Sequence, residues 1–287
     1  MGSFGIELGG AVATPAGLAA LAGGLALTGA VAGILAGLLG VGGGIVIVPV
    51  LFWLFGLLEF PQSVSMHVAV ATSLATIIPT SLSSARAHHT RGALDMGLLR
   101  LWAPYIFTGA LMGGVVSKFL DSAQLTALFG VVAFAMAVNL AIPRPSSTPP
   151  MEKLPRTGVV RAGLGGGIGF VSALMGIGGG ALSVPALTVF GVPVHRAIGV
   201  AAAFGFVIAV PGTAGFIWSG LGVAGRPPLS AGYVNLPAAI VIFSVSVFTA
   251  PVGARIAHKV NARTLRLAFA AFLAVTALRM IAKLFIG

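Results

Sequence analysis

The chain has 287 residues, of which 57% are hydrophobic and 7% are charged, with a formal net charge of +11 and no cysteine. Soluble domains carry about 25% charged residues, so this composition excludes a water-soluble globule. The missing cysteine excludes disulfides and thiolate metal sites. In a membrane protein an excess of Lys and Arg is typical of cytoplasmic loops, so we expect the lipid bilayer, and not a nucleic acid, as the partner.

Ten apolar segments follow one another along the chain. Most reach the about 20 residues that an α-helix needs to cross a bilayer core. They are apolar on all sides and longer than the alternating segments of about ten residues in membrane β-barrels. The segments therefore predict an all-α polytopic membrane protein. In chain order they are 17–39, 44–58, 66–84, 98–119, 123–142, 159–176, 180–193, 195–217, 233–254 and 264–285.

Segments 44–58 and 180–193 are too short for a full span, and each directly follows three consecutive glycines. The stretch 38–49 reads LLGVGGGIVIVP and the stretch 174–185 reads LMGIGGGALSVP, with seven of twelve positions identical. Irregular backbone inside a bilayer must be buried in protein or line a cavity, and glycine reverses the chain there by adopting positive φ. We predict two glycine-broken helix pairs. Whether each pair spans fully or is re-entrant stays open in the sequence.

The basic residues are distributed unevenly between the two ends of the segments. Twelve of the sixteen Lys and Arg lie in the connections 85–100, 143–161 and 255–266 and in the turn near 195, and all four fall on one side. Positive-inside bias places that side in the cytoplasm. We expect a multi-pass protein of the bacterial plasma (inner) membrane with both termini outside.

A linker rich in Pro and Ser divides the chain into two similar halves. Each half holds a glycine-broken pair and three further transmembrane segments, and an odd number of crossings inverts the second half relative to the first. Such inverted-topology repeats are common in secondary transporters. The predicted parts are an N-terminal tail at 1–14, membrane repeat 1 at 15–142, a cytoplasmic linker at 143–158 and membrane repeat 2 at 159–287.

Two opposed breaks would bring two helix N-termini to one small volume near the bilayer midplane. The first N–H groups of a helix lack intrahelical acceptors and bind anions. The alternative is that the glycines only permit close helix packing, which we favour for isolated glycines such as Gly113 and Gly114. For the paired motifs we predict a substrate site. Its residues are Gly42, Gly43, Gly44, Gly178, Gly179 and Gly180.

Four further polar residues are candidates for substrate binding. Thr72 and Ser73 lie on the segment after the first break, where their hydroxyls would donate to an oxyanion. Back-bonding within the helix, or an interhelical hydrogen bond, is an equal alternative for them. Ser183 lies in the first turn after the second break. Asn235 opens segment 233–254, and its alternative role is a helix cap.

Three other residues have predicted roles outside the substrate site. His67 lies near the outer end of its segment, which favours an interfacial position. If transport is coupled to a proton, His67 is the best placed titratable group, because imidazole titrates near neutral pH. Arg86 and Arg91 are candidates for attracting anions to a cytoplasmic entrance, although ordinary topology determinants are the favoured interpretation.

Four stretches of the chain form a characteristic set: GVGGGIVIVP (40–49), GIGGGALSVP (176–185), HHTRGALD (88–95) and GYVNLPA (232–238). They resemble motifs of the TauE/SafE family of membrane permeases, the sulfite and organosulfonate exporter group. The resemblance covers nearly the whole chain. It implies export or uptake of a small sulfur-containing or carboxylate anion, such as sulfite or sulfoacetate.

The acidic residues agree independently with an anionic substrate. A cation pathway normally places a carboxylate within the membrane. None of the five acids lies in the middle of a segment, so this pathway has no carboxylate to offer. The five are Glu7, Glu59, Asp95, Asp121 and Glu152.

Two other functions compete with a secondary transporter. An anion channel of the same architecture stays open, because sequence does not separate a gate from an alternating-access cycle. An intramembrane enzyme is less favoured, since no segment carries two acids and no HExxH motif occurs. The stretch GIGGGA (176–181) fits a dinucleotide-binding pattern, but it lies in a membrane span and no acid follows it. We expect no catalytic residue, no metal and no cofactor.

Overall fold

A computed structural model describes residues 14–40, 42–142, 158–256 and 262–286. Within these ranges the chain is almost entirely helical, which confirms the all-α class. The first half contains α1 (Pro15–Leu39), α2 (Gly44–Leu57), α3 (Gln62–His89), α4 (Met96–Val116), a short 3-10 helix (Ser117–Phe119) and α5 (Ser122–Ala141). The second half contains α6 (Gly158–Met175), α7 (Gly180–Val189), α8 (Val194–Ser219), the hairpin strands β1 (Ser230–Ala231) and β2 (Val234–Asn235), α9 (Leu236–Ile256) and α10 (Ala262–Ile286).

Seven helices in the described ranges are long and apolar enough to cross a membrane: α1, α3, α4 with its 3-10 extension, α5, α6, α8 and α9. This confirms a polytopic membrane protein. Helices α2 and α7 have 14 and 10 residues, which corresponds to about 21 Å and about 15 Å at 1.5 Å per residue. Both are shorter than the about 30 Å hydrocarbon core. Helix α10 has 25 residues but contains four basic residues, and it is not among the seven.

Polar residues set where several helices begin. Thr14 accepts a hydrogen bond from the Gly17 N–H at the start of α1, and Asp95 accepts one from Leu98 N–H at the start of α4. Asp121 forms a capping box with Gln124 at the start of α5. Residues 1–13 of the predicted tail and 143–157 of the predicted linker lie outside the described residues, and Gly158 already belongs to α6.

Helices α3 and α8 form the centre of the molecule. In each, 72% of an apolar stretch of 18 residues is buried, whereas the corresponding stretches of the other five long helices are 28% to 39% buried. Helix α3 packs on α8 and α9, and α8 packs on α3 and α4. Helix α1 packs on α9, α6 packs on α4, and α5 packs on α10. Helices α1 to α5 correspond in order to α6 to α10. Replacing each helix by its counterpart turns the pair α1–α9 into α6–α4 and the pair α3–α9 into α8–α4, and it leaves α3–α8 and α5–α10 unchanged. This packing supports two structural repeats, and their opposite orientation across a membrane stays a prediction.

Small residues bring the peripheral helices close to their partners. A Cβ atom at Gly113 on α4 would lie 2.6 Å from the Phe170 carbonyl oxygen on α6, and a Cβ at Gly114 would lie 2.8 Å from the Gly212 oxygen on α8. In the other half, a Cβ at Gly253 would overlap the Ile34 carbonyl group. Close packing therefore accounts for Gly113 and Gly114, as expected for small residues between membrane helices.

Candidate substrate site at the two glycine breaks

The two glycine breaks are in direct contact in the buried centre of the molecule. A Cβ atom at Gly42 would lie 3.0 Å from the Cα of Gly178 and 3.2 Å from Cγ2 of Ile77 on α3. A Cβ at Gly44 would overlap the carbonyl oxygen of Gly176. The structure thus brings the two breaks together, and they fill the volume between them. A substrate would enter only if the breaks separate.

The backbone of the two breaks differs. In the first break Gly40, Gly42 and Gly43 have φ of 67°, 75° and 77°. In the second break only Gly176 has positive φ, at 68°, and Gly179 is right-handed with φ −58°. The expectation that the triple glycines reverse the chain through positive φ is therefore wrong for the second break, where Gly176 makes the turn.

Gly179 is needed for a different reason. A Cβ atom there would lie 2.6 Å from both the Ala201 carbonyl oxygen and the Phe204 Cβ on α8. Close packing against α8 thus explains this glycine without a substrate. Gly40 and Gly176 were missed as members of the site, although each is the first glycine of a GxGGG motif and could have been found from the repeat itself.

Neither helix that follows a break has a side chain capping its first turn. The Gly43 carbonyl accepts from Val46 and Ile47 N–H, at 3.0 and 3.3 Å, and the Gly179 carbonyl accepts from Ser183 N–H at 2.9 Å. The N–H groups that precede Val46 in α2 and Ser183 in α7 have no intrahelical acceptor. Both helix starts are therefore able to donate to an anion.

Two serines from the sequence prediction lie at the second break. The Ser73 hydroxyl on α3 donates to the Gly176 carbonyl oxygen at 2.7 Å. The Ser183 hydroxyl is completely buried and has no hydrogen-bond partner among the described residues. Ser172, in the last turn of α6, is also completely buried, and its hydroxyl has no hydrogen-bond partner among the described residues. Buried hydroxyls are normally paired, so these two offer unused donors on either side of the break.

Thr72 and Asn235 join α3 to the β-hairpin, and none of their hydrogen bonds within the described residues goes to the breaks. The backbone N–H of Asn235 donates to the Thr72 hydroxyl oxygen at 3.0 Å. The Asn235 side-chain oxygen accepts from Ala238 N–H at 3.1 Å, and its NH₂ group donates to the Pro228 carbonyl at 3.1 Å. Asn235 is therefore a cap of α9, the alternative considered for it. Ser73 bonds to the second break while Thr72 bonds to the hairpin, because consecutive side chains of a helix point about 100° apart.

His67 is buried, with 3% of its surface exposed. Its Nε2–H donates to the carbonyl oxygens of Ser117 and Leu120, at 3.1 and 3.0 Å, so the ring carries its proton on Nε2. The ring stacks on Tyr233, with centroids 4.7 Å apart, and Nδ1 has no partner among the described residues. The β-hairpin covers His67, so its side chain is enclosed by protein, and its interfacial position stays a prediction.

Arg86 and Arg91 lie in the last turn of α3 and in the turn after it. Both are exposed, and Arg91 donates to the Ala87 carbonyl at 2.6 Å. Nine residues separate Arg86 from Ile77, which lies beside Gly42 of the first break, and this corresponds to about 14 Å along a helix. A role at an entrance therefore stays a prediction.

The acids of the described ranges lie at helix ends or in loops. Asp95 and Asp121 are N-caps, and Glu59 lies in the turn after α2. In the part of the chain that the structure describes, no group of three His, Asp or Glu side chains could hold a metal ion. The helices around the breaks thus present amides and hydroxyls, and the described part of these helices contains no carboxylate.

Comparison with known proteins identifies the family of the chain. Residues 25–280 match the family "Sulfite exporter TauE/SafE". A "Probable membrane transporter protein" of Haemophilus influenzae is 37% identical over 257 residues, covering 90% of this chain and 97% of that protein. One of Methanocaldococcus jannaschii is 30% identical over 276 residues, with 90% and 94% covered. No solved structure matches the chain. The chain therefore belongs to the TauE/SafE family and is a membrane transporter of that type, not an enzyme.

Proposed function

We propose that this transporter is a secondary carrier that moves a small anion, which binds between the two glycine breaks. The observation that carries the proposal is the contact between the breaks, with the unpaired Ser183 hydroxyl in the first turn of α7 after the second break. Two uncapped helix starts and this hydroxyl form a set of donors. Donors without a neighbouring carboxylate select negative charge, because a cation would find no counter-charge there.

The contact between the breaks also bears on mechanism. Gly42 and Gly178 approach so closely that no substrate fits between them. The carrier proposal therefore requires the first break, on α1 and α2, to move relative to the second, on α6 and α7. Rocking of one repeat against the other is the usual form of alternating access around a central site. An anion channel of the same architecture would instead open a continuous path.

The family description, a sulfite exporter, supports sulfite as the substrate. An organosulfonate such as sulfoacetate, or a related carboxylate, is part of the same proposal. Each presents two or three oxygens in a compact anionic group, which suits convergent N–H and O–H donors. The cytoplasmic position of the linker, the outer position of both termini and the inner-membrane location are part of the same proposal.

Flux into proteoliposomes tests the function directly. Purified full-length protein is reconstituted, and uptake is measured for sulfite, sulfate, thiosulfate, sulfoacetate and small carboxylates. A carrier predicts saturable uptake that is stimulated by the same anion on the opposite side. Flux that rises linearly with concentration, without such stimulation, would indicate a channel.

Ser183→Ala tests the site. Loss of a hydrogen bond to a charged group costs about 1.5–3 kcal/mol, which predicts at least about tenfold weaker half-saturation. Ser244→Ala is the matched control, because the Ser244 hydroxyl is exposed and donates only to Val241 within α9. Equal half-saturation in the two variants would place the anion elsewhere.

A further inference from the structure

A cavity of about 720 Å³ lies beside the C-terminal end of α2, and none of the glycines of the two breaks lines it. Helix α10 closes its other side. The polar lining consists of Glu59, Gln62, Arg279 and Lys283, and the apolar lining includes Trp53 and Gly56. Nothing in the proposed anion pathway uses these residues.

Both cations of the cavity rest on aromatic rings. The Arg279 guanidinium carbon lies 5.5 Å from the centroid of the Trp53 ring, and the Lys283 Nζ lies 4.6 Å from the centroid of the Phe52 ring. Within the described ranges neither cation has a hydrogen bond or an ion pair with the protein. A guanidinium that stacks on a ring keeps its N–H groups at its edge, where they are available to an oxyanion.

Three of the last four carbonyls of α2 are paired without these two charges. A helix C-terminus attracts cations because its last carbonyls lack partners. Here the following turn already supplies donors to the carbonyls of Leu54, Phe55 and Gly56, from the N–H groups of Leu58, Phe60 and Glu59. Arg279 and Lys283 are therefore not needed to pair these three carbonyls.

Charge and size together indicate the ligand. Arg279 and Lys283 contribute two positive charges and Glu59 one negative charge, which leaves an excess of one. This excess matches a single phosphodiester. The volume falls within the range of about 300–1,000 Å³ for sites that hold whole organic ligands. Leu57, which also lines the cavity, is 81% exposed.

We propose that this cavity binds the phosphodiester headgroup of an anionic phospholipid. Arg279 and Lys283 hold the phosphate, and the rings of Trp53 and Phe52 keep the two cations in place. The tail of the lipid then runs along the exposed apolar surface next to Leu57. Inorganic phosphate offers the same oxygen chemistry and is the competing source.

Native mass spectrometry of delipidated full-length protein tests the site. The protein is titrated separately with phosphatidylglycerol, phosphatidylcholine and inorganic phosphate. We expect phosphatidylglycerol to bind tightest, and the double variant Arg279→Gln, Lys283→Gln to weaken its binding by about fivefold for each charge removed. Lys118→Gln is the matched control, since Lys118 lies 4.9 Å from the Trp218 ring in a similar contact but does not line the cavity.

A steric variant separates ligand binding from a folding defect. A Cβ at Gly56 would lie 3.5 Å from the Lys283 Nζ, so Gly56→Phe fills the cavity and leaves both charges. It too should lose phosphatidylglycerol. Unchanged phosphatidylglycerol affinity in either variant would overturn the proposal. Inorganic phosphate that binds with the same dependence on Arg279 and Lys283, and displaces the lipid, would overturn it in favour of a soluble oxyanion.

Discussion

The Ser73 hydroxyl on α3 donates a hydrogen bond of 2.7 Å to the carbonyl oxygen of Gly176, so the first half of the chain is tied directly to the turn of the second break. Both groups are buried. Removing one partner leaves a buried acceptor unpaired, which costs about 1–3 kcal/mol. Ser73→Ala should therefore lower the melting temperature of the detergent-purified protein. Ser244→Ala, an exposed serine on α9, should not, and equal melting temperatures would show that the bond contributes nothing.

Gly42→Ala should impair both stability and transport. Gly42 has φ 75°, and its new methyl group would lie 3.0 Å from Gly178 Cα. The left-handed backbone alone costs an Ala about 1–2 kcal/mol. The matched control is Gly23→Ala, since Gly23 lies within α1 with nothing within 4 Å of its Cβ position. That substitution should stabilise α1 slightly, and a Gly42 variant as stable and active as the control would contradict the observed contact.

His67→Gln tests proton coupling. Its side chain keeps an N–H for the carbonyls of Ser117 and Leu120 but does not titrate, so the fold should survive. If His67 is the coupling group, uptake in the variant becomes independent of an imposed pH gradient. Uptake that still follows the gradient would exclude His67.

Tyr233→Phe is the companion variant. Burial raises the pKa of the Tyr233 hydroxyl, and the nearby positive charge of Arg226 opposes this increase. The phenol therefore stays neutral between pH 5 and 8, where His titrates. We expect uptake by Tyr233→Phe to keep the pH dependence of the unmodified chain. A changed pH profile would show that the hydroxyl, and not only the ring stacked on His67, takes part.

Asn235 distinguishes a helix cap from a substrate ligand. Ser is a good N-cap and Ala is not, with a difference of about 1 kcal/mol. Thermal unfolding should therefore rank Asn235→Ser close to the unmodified chain and Asn235→Ala below it. Half-saturation for the anion should be similar in both variants. A large loss of affinity in Asn235→Ser, with stability retained, would return Asn235 to the binding site.

The sequence was sufficient for seven membrane spans and for the positions of the breaks. Hydropathy identifies spans because lipid imposes one composition on every long helix. The segment 66–84, for example, corresponds to α3 at Gln62–His89. Helices α2 and α7 are short, as expected, because each begins at the third glycine of a repeated motif.

The sequence was not sufficient to predict the contacts between side chains of the helices and irregular segments of the chain. The stretch GYVNLP forms the hairpin that covers His67 and engages Thr72, and neither period 2 nor period 3.6 identifies so short an element. The two triple glycines look alike in sequence, yet Gly43 and Gly179 differ in φ. Their neighbours differ too, because a Cβ would meet Ala32 at Gly43 and α8 at Gly179.

Protection of an engineered cysteine tests the binding site most directly. The natural chain contains no cysteine, so Ser183→Cys introduces a single thiol at the second break, and Ser244→Cys gives an exposed control. Thiol labelling by a methanethiosulfonate reagent is timed in proteoliposomes with and without a saturating transported anion other than sulfite, which itself attacks the reagent. The account predicts that the anion slows labelling at position 183 and leaves position 244 unchanged. Equal labelling rates at position 183, in a variant that still transports the anion, would contradict it.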